Sequence, residues 1–395
     1  MKAKIKFTTL NSAGQPAPTE GHTVPTSFPS YPCGPLSFSK GEIMKTAKSI
    51  VELATEIQRQ SESKKDFIVP TQAAQVIVNG AQQITFDNTA YDLTDHALAQ
   101  IAERCKIPKR YLDYLRAEHP SLLTTNINEL FQKFPEPRLI RTLDGKARAF
   151  LSDRYRPLDN AELAASVFPA LQAADAKIVS CDITERKLYI KAVLPQVSAL
   201  IPGGSHLGDD NLNPGLTISN SEIGTGGLTV LPALHDPKCT NLCSFSFAKY
   251  SKYHLGGKGT ADDQYQVFTT ETKQLADKTV FAQLTDVVKA SLGGTVFQQI
   301  VDHVKTARGN KVEATQVTKV VEVVSEKHGF NEEEKKSVLA HLIERGDLSQ
   351  WGLSSAITRT AEDVESYDRA SELETVGGQV IELPANQWQA VANAA

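Results

Sequence analysis

The chain of 395 residues, 41% of them hydrophobic, can bury one large core or two modest ones, and two domains is the expectation from its length. A net charge of -4 and a pI near 6.2 exclude a globally basic nucleic-acid binder, yet leave room for a local basic face on an acidic surface. No stretch reaches the roughly 18 apolar residues of a membrane span. The start MKAKIKFTTLNSAG lacks the apolar core of a signal peptide, and the odd number of cysteines fits reduced thiols, so a cytoplasmic protein is expected.

Pro16, Pro18, Pro25, Pro29, Pro32 and Pro35 lie among Ser, Thr and Gly and remove backbone donors, which predicts a flexible arm over residues 1–40. From Lys45 to Gln58, Ile50, Val51, Ala54 and Ile57 recur at helical spacing. Next, VIVNGAQQITF sets Asn79-Gly80 between two β-rich runs, a hairpin signal. IAERCKIPKRYLDYL, from Ile101 to Leu115, continues an apolar stripe of Leu98, Ile101 and Ala102, breaks at Lys106 to Pro108, and resumes with Tyr111, Leu112 and Leu115. That spacing suits a DNA-reading helix-turn-helix or two helices packed on a core. The second helix offers Asp113, Arg116 and Glu118 instead of a basic set, which favours packing.

In PRLIRTLDGKARAFLSDRYRPLDN, Asp144-Gly145 predicts a type I′ turn that sets Leu143 opposite Lys146, Arg141 opposite Arg148 and Leu139 opposite Phe150. Ile140, Thr142, Ala147, Ala149 and Leu151 then form the buried face, while Arg141, Lys146 and Arg148 crowd the exposed one. Like charges directly opposite cost up to about 1 kcal/mol, so an anion is their natural partner. A predicted helix from Asn160 to Ala173 leads to KIVSCDITERKLYIKAVLP, a second hairpin with Lys187, Tyr189 and Lys191 on one face and Leu188, Ile190 and Ala192 on the other. After a loop from Pro195 to Pro214, GLTISNS and GLTVLPA read as strands. LCSFSFAKYSKYHLGGKGT interleaves Lys249, Lys252 and Lys258 with Tyr250, Tyr253 and other rings and has no acidic residue, the composition of a single-strand groove. From Glu271 to Thr360 the pattern is helical, with Asn331 capping a first turn of Glu332, Glu333 and Glu334. This order predicts an α+β fold, a mostly antiparallel sheet built from hairpins with helices packed on one face and a helical C-terminal part. The expected division is an arm at 1–40, a sheet domain at 41–270, a helical part at 271–380 and a tail at 381–395.

The ordered motifs LTDHALAQIAERCKIPKRYLDYL, ARAFLSDRYRPLDN, ISNSEIGTGGLTVLPALHDPKCTN and WGLSSAITRTAEDV resemble the phage/plasmid-like family catalogued as domain of unknown function 932, over roughly residues 65–380. The resemblance implies a protein of a bacteriophage or other mobile element, working in a bacterial host cytoplasm as a DNA-transaction factor. It supplies no catalytic residues.

His235, Cys239, Cys243 and His254 carry the residue types of a zinc site, but their spacing is not a paired-cysteine form and strand context sends alternate side chains to opposite faces. Asp209 and Asp210 could hold a divalent cation or sit in a solvated turn. No phosphate-loop or nucleophile-elbow motif is present. No metal or cofactor is expected. The leading expectation is a non-enzymatic protein that binds single-stranded DNA in recombination or replication, with strand annealing and self-association as its extension. Arg141, Lys146, Arg148, Lys187, Lys191, Lys249 and Lys252 would track phosphates, and Tyr189, Tyr250 and Tyr253 would stack bases. Phage or host recombination proteins are expected as further partners. The first alternative is a phage protein that occupies a host protein through its helical C-terminal part, without nucleic-acid binding, its basic faces neutralised inside the fold. The second is a metal-dependent enzyme.

Overall fold

The computed structural model describes residues 49–393 except 80, 157, 206–207, 239–241 and 253–269. The arm at 1–40, the Gly80 turn position, Cys239, Tyr253, His254 and Lys258 lie outside the described residues. The described residues belong to one compact unit, and its architecture is α+β with two mostly antiparallel sheets.

The first sheet runs β1-β5-β6-β4-β3-β2, from β1 (Lys65–Pro70), β2 (Gln75–Asn79), β3 (Ala81–Phe86), β4 (Thr89–Leu93), β5 (Pro137–Leu143) and β6 (Lys146–Ser152). Only the β4–β6 pairing is parallel. Helices α2 (Asp95–Arg104), α3 (Lys109–Glu118) and α4 (Pro120–Lys133) cover one face, where Leu98, Ile101, Leu112, Leu115, Ile127 and Phe131 pack with Val76, Ile84, Ile140 and Phe150. The helix pair of the Ile101–Leu115 stretch thus buries its leucines in this core, whereas Tyr111, expected in the stripe, is exposed. The preceding helix α1 (Ile50–Ser63) starts at a Ser49/Glu52 capping box and buries Leu53, Ala54 and Ile57, leaving Val51 outside.

Strand β2 is an edge, and α4 closes it. The Val76 N–H donates to Asn128 Oδ1 at 2.8 Å and Asn128 Nδ2 donates back to Val76 O at 2.7 Å. One helical turn earlier, Thr124 Oγ1 accepts from the Val78 N–H at 2.8 Å. Side chains four apart on a helix are spaced like alternate residues of a strand, so α4 stands in for the missing neighbour.

The second sheet runs β12-β11-β10-β8-β7, with β13 also on β11 and β9 on β10. Its strands are β7 (Lys177–Ile183), β8 (Leu188–Val193), β9 (Ala199–Ser205), β10 (Gly208–Asn220), β11 (Leu228–His235), β12 (Leu242–Ser244) and β13 (Tyr250–Lys252). Helix α5 (Asn160–Ala173) joins the two sheets in sequence. The C-terminal helices are α6 (Thr270–Ser291), α7 (Gly294–Gly309), α8 (Val317–His328), α9 (Glu332–Arg345), α10 (Gln350–Thr360), α11 (Tyr367–Ile381) and α12 (Ala385–Asn393). Asn331 and Glu334 form the capping box of α9. Helix α11 lies hard against β12: a Cβ on Gly378 would stand 1.8 Å from Ser244 O, so only glycine allows the approach. That contact carries Tyr367, Asp368 and Glu374 onto the second sheet. No described helix is long and apolar enough to cross a membrane.

Candidate nucleic-acid interface

The first hairpin turns as expected, with Asp144 and Gly145 at φ 51° and 77° and Leu143 opposite Lys146. Beyond Thr142 the register shifts by one residue, so Arg141 faces Ala149 and not Arg148. The bulge at Arg148 breaks the predicted pairing of cations. The exposed basic face is also corrected: β5 and β6 are interior strands, and Leu139, Ala149 and Leu151 pack there with Ile223.

Arg141 is 0% exposed. Its Nε donates to Asp66 Oδ1 at 2.8 Å, Nη2 to Asp159 Oδ1 at 2.9 Å and Nη1 to Glu222 O at 2.9 Å. Arg148 Nη2 donates to Glu222 Oε2 at 2.6 Å, and Lys64 Nζ lies 2.6 Å from Asp159 Oδ2. Lys64, Arg141 and Arg148 are thereby matched by Asp66, Asp159 and Glu222. Burial pushes the Asp159 carboxyl up, but the charges of Arg141 and Lys64 outweigh it and hold it below the usual carboxylate range. The Asn160 N–H donates to Glu222 Oε1, and Asn220 Nδ2 donates to Asn160 Oδ1. Residues of the motifs ARAFLSDRYRPLDN and ISNSEIGTGG therefore meet in one buried network that ties the two sheets together.

The second hairpin is corrected in the same way. Tyr189 is buried and Lys191 is 4% exposed, because β8 runs between β7 and β10 and α11 covers the face that carries them. Lys191 Nζ lies 2.6 Å from Glu374 Oε2 and 4.7 Å from the centre of the Tyr367 ring. The Tyr189 ring packs on Tyr367 at 5.3 Å, and burial, then the Asp368 carboxylate, drives its hydroxyl pKa far up.

Asp210 is neither a cation ligand nor part of a solvated turn. It is fully buried in β10, where Oδ2 accepts from Trp351 Nε1 at 2.9 Å and pairs with Arg308 and with Arg345, the latter at 3.0 Å. Lys238 approaches Oδ1 at 3.3 Å. Burial raises this carboxyl, yet Arg345, the Trp351 hydrogen bond and Arg308 together lower it. Of the zinc-type residues, Cys243 pairs with Leu234 and His235 with Leu242, so adjacent register positions send His235 and Cys243 to opposite faces.

Among the described residues no ion pair forms to Lys146, Lys187, Lys249 or Lys252. Lys146 is exposed at the first hairpin's tip. The others gather at one end of the second sheet. There the Lys187 stem crosses the glycine loop, its Cε 3.5 Å from where a Cβ of Gly226 would stand, and Thr225 Oγ1 donates to Arg186 O at 3.2 Å. Lys252 sits opposite Leu228 and Tyr250 opposite Val230, directly after that loop, with exposed Lys249 next in sequence. The Tyr250 hydroxyl has no hydrogen-bond partner among the described residues, and burial raises its pKa.

No protein-family model matches the chain, and neither a curated protein nor a solved structure matches it significantly. The resemblance drawn from the motifs rests on those residues alone. Sequence reasoning missed Asp66, Asp159, Glu222 and Glu374 as partners of the candidate cations, and Lys64 as a further cation of that network. The one available signal was the pair of acidic residues inside the quoted motifs, Asp159 in PLDN and Glu222 in NSEIG.

Proposed function

We propose that the chain binds a single-stranded nucleic acid, without acting on it chemically, through the end of the second sheet that carries Lys187, Lys249, Tyr250 and Lys252. The observation that supports this reading is the sorting of cations. Those inside the sheets have carboxylate partners, whereas these three lysines have none among the described residues and stand beside the half-buried Tyr250 ring. Asp159, Asp210 and Glu334 are held below the usual carboxylate range by neighbouring cations, so these three serve as charge partners within the fold. The mobile-element setting follows from the motif resemblance. The footprint is smaller than the sequence suggested, so binding should be modest in strength. A fluorescence titration with oligothymidylate tests it: replacing Lys187, Lys249 and Lys252 together by Ala should abolish binding and leave the melting temperature unchanged. Full binding by that variant would refute the assignment.

A protein-binding reading is favoured by a separate observation. Tyr111, Tyr114 and Leu122 on α3 and α4 are 46%, 52% and 46% exposed. The two tyrosine rings stack at 6.4 Å, an aromatic surface of the kind enriched at protein interfaces.

A further inference from the structure

Between the C-terminal ends of α2 and α4 lies a cavity of about 280 Å³. Cys105, Leu130, Phe131 and Phe134 line it with apolar surface, and Arg104 and Lys106 stand at its wall. The walls are fixed by the core. Phe131 stacks on Phe150 at 5.6 Å, and Thr71 Oγ1 donates to Phe131 O at 3.1 Å while accepting from the Glu136 N–H at 3.2 Å. Burial pushes the Cys105 thiol up to about 11, so it stays neutral at physiological pH.

The charges beside this apolar space do not cancel. Arg104 and Arg138 both clamp Glu136, and Lys106 has no ion pair among the described residues. Arg104 reaches Glu136 through Nε alone, and its Nη1 and Nη2 donate to no acceptor among the described residues. Two parallel N–H groups on a planar guanidinium edge match a carboxylate. The volume falls just below the range of drug-sized ligand pockets, about 300–1,000 Å³, which limits the occupant to roughly one ring or a short chain.

We propose that this cavity binds a small organic acid, its apolar body against Leu130, Phe131 and Phe134 and its carboxylate on the Arg104 Nη edge with Lys106 beside it. The site lies on the first sheet's helices and is independent of the nucleic-acid reading. The test is a ligand-observed NMR titration of the full chain with benzoate and with its neutral isostere benzamide. Benzoate should bind saturably and about tenfold more tightly than benzamide, the order of one charge-assisted hydrogen bond. Arg104→Gln should bring the two to equal affinity, with Arg138 still holding Glu136. Leu130→Trp should fill the cavity and remove both. Phe134→Ala, at a half-exposed residue whose loss leaves the core intact, should weaken both if the tryptophan variant does not fold. No saturable binding of either compound, an undiminished benzoate preference in Arg104→Gln, or unchanged affinity in Phe134→Ala would overturn the proposal.

Discussion

By its strand pattern Lys191 is a phosphate-contact candidate and in the fold it is half of a buried ion pair, so its replacement separates the two roles. Its side chain is 5% exposed and that of Glu374 is 1% exposed, with 2.6 Å between Nζ and Oε2. Glu374 Oε1 also accepts the Leu242 N–H at 3.2 Å, which ties α11 to β12. Lys191→Met keeps the stem's volume and leaves the carboxylate buried without its cation. Breaking such a pair from one side costs about 3–5 kcal/mol, because the remaining charge is uncompensated. Glu374→Gln keeps an acceptor for Leu242 and strands the ammonium instead, with a similar cost expected. Combining the two removes both charges, and the double variant should recover to within roughly 1–2 kcal/mol of the parent. Urea unfolding of the four proteins, analysed as a double-mutant cycle, gives the coupling. Additive losses, or a loss below about 1 kcal/mol for Lys191→Met, would refute the argument that the pair acts as a unit.

Stability should fall on acidification. Asp159, Asp210, Glu334 and Asp363 all have lowered pKa values when folded, so their contribution is complete above their unfolded values, near 4 to 4.5, and is lost as pH falls through the depressed folded ones. Thermal melts between about pH 2 and 7 should show a plateau above roughly pH 5 and a decline below pH 4, shallower in Asp210→Asn after its own baseline loss. Asn128→Leu should orphan the Val76 N–H and C=O at the β2 edge, at about 1–3 kcal/mol for each group that stays buried, and open the edge to self-association visible by size-exclusion chromatography. Asp175→Gly should stabilise by about 1 kcal/mol, read as a urea midpoint shift at constant slope. Asp175 holds φ 52° at the end of α5, where its N–H and that of Ala176 close a Schellman motif onto Gln172 O and Leu171 O, and its charge opposes the helix dipole.

What could be read from the sequence was local. The α5 boundaries, the Asp144-Gly145 turn and the Asn331 cap depend on neighbouring residues and emerge in the fold where their chemistry puts them. The Arg148 bulge does not follow from the turn, because register beyond a two-residue loop is also set by what packs on each face. The exposure of the two basic faces failed for a related reason. Alternation separates the sides of a strand, but whether a side meets water depends on elements far along the chain, such as Ile223 over Ala149 and Glu374 over Lys191. The stripe that included Val51 and Tyr111 erred by one position at the core margin, where a rotation of a few tens of degrees moves a side chain from core to solvent. Lys187, Lys249 and Lys252 make no ion pair among the described residues, since they lie at a strand end and beside a short edge strand, away from the carboxylates that pair the interior cations.

The central claim is that nucleic acid meets only this end of the second sheet, and counterion release counts the contacts directly. Single-strand affinity measured from about 50 to 200 mM salt should give a log–log slope near -2, about 0.7 for each of the three lysines. The slope should stay unchanged in Arg148→Ala, which should instead melt lower as Glu222 loses its partner. A slope of zero, or one that shrinks by about 0.7 in Arg148→Ala, would contradict the account.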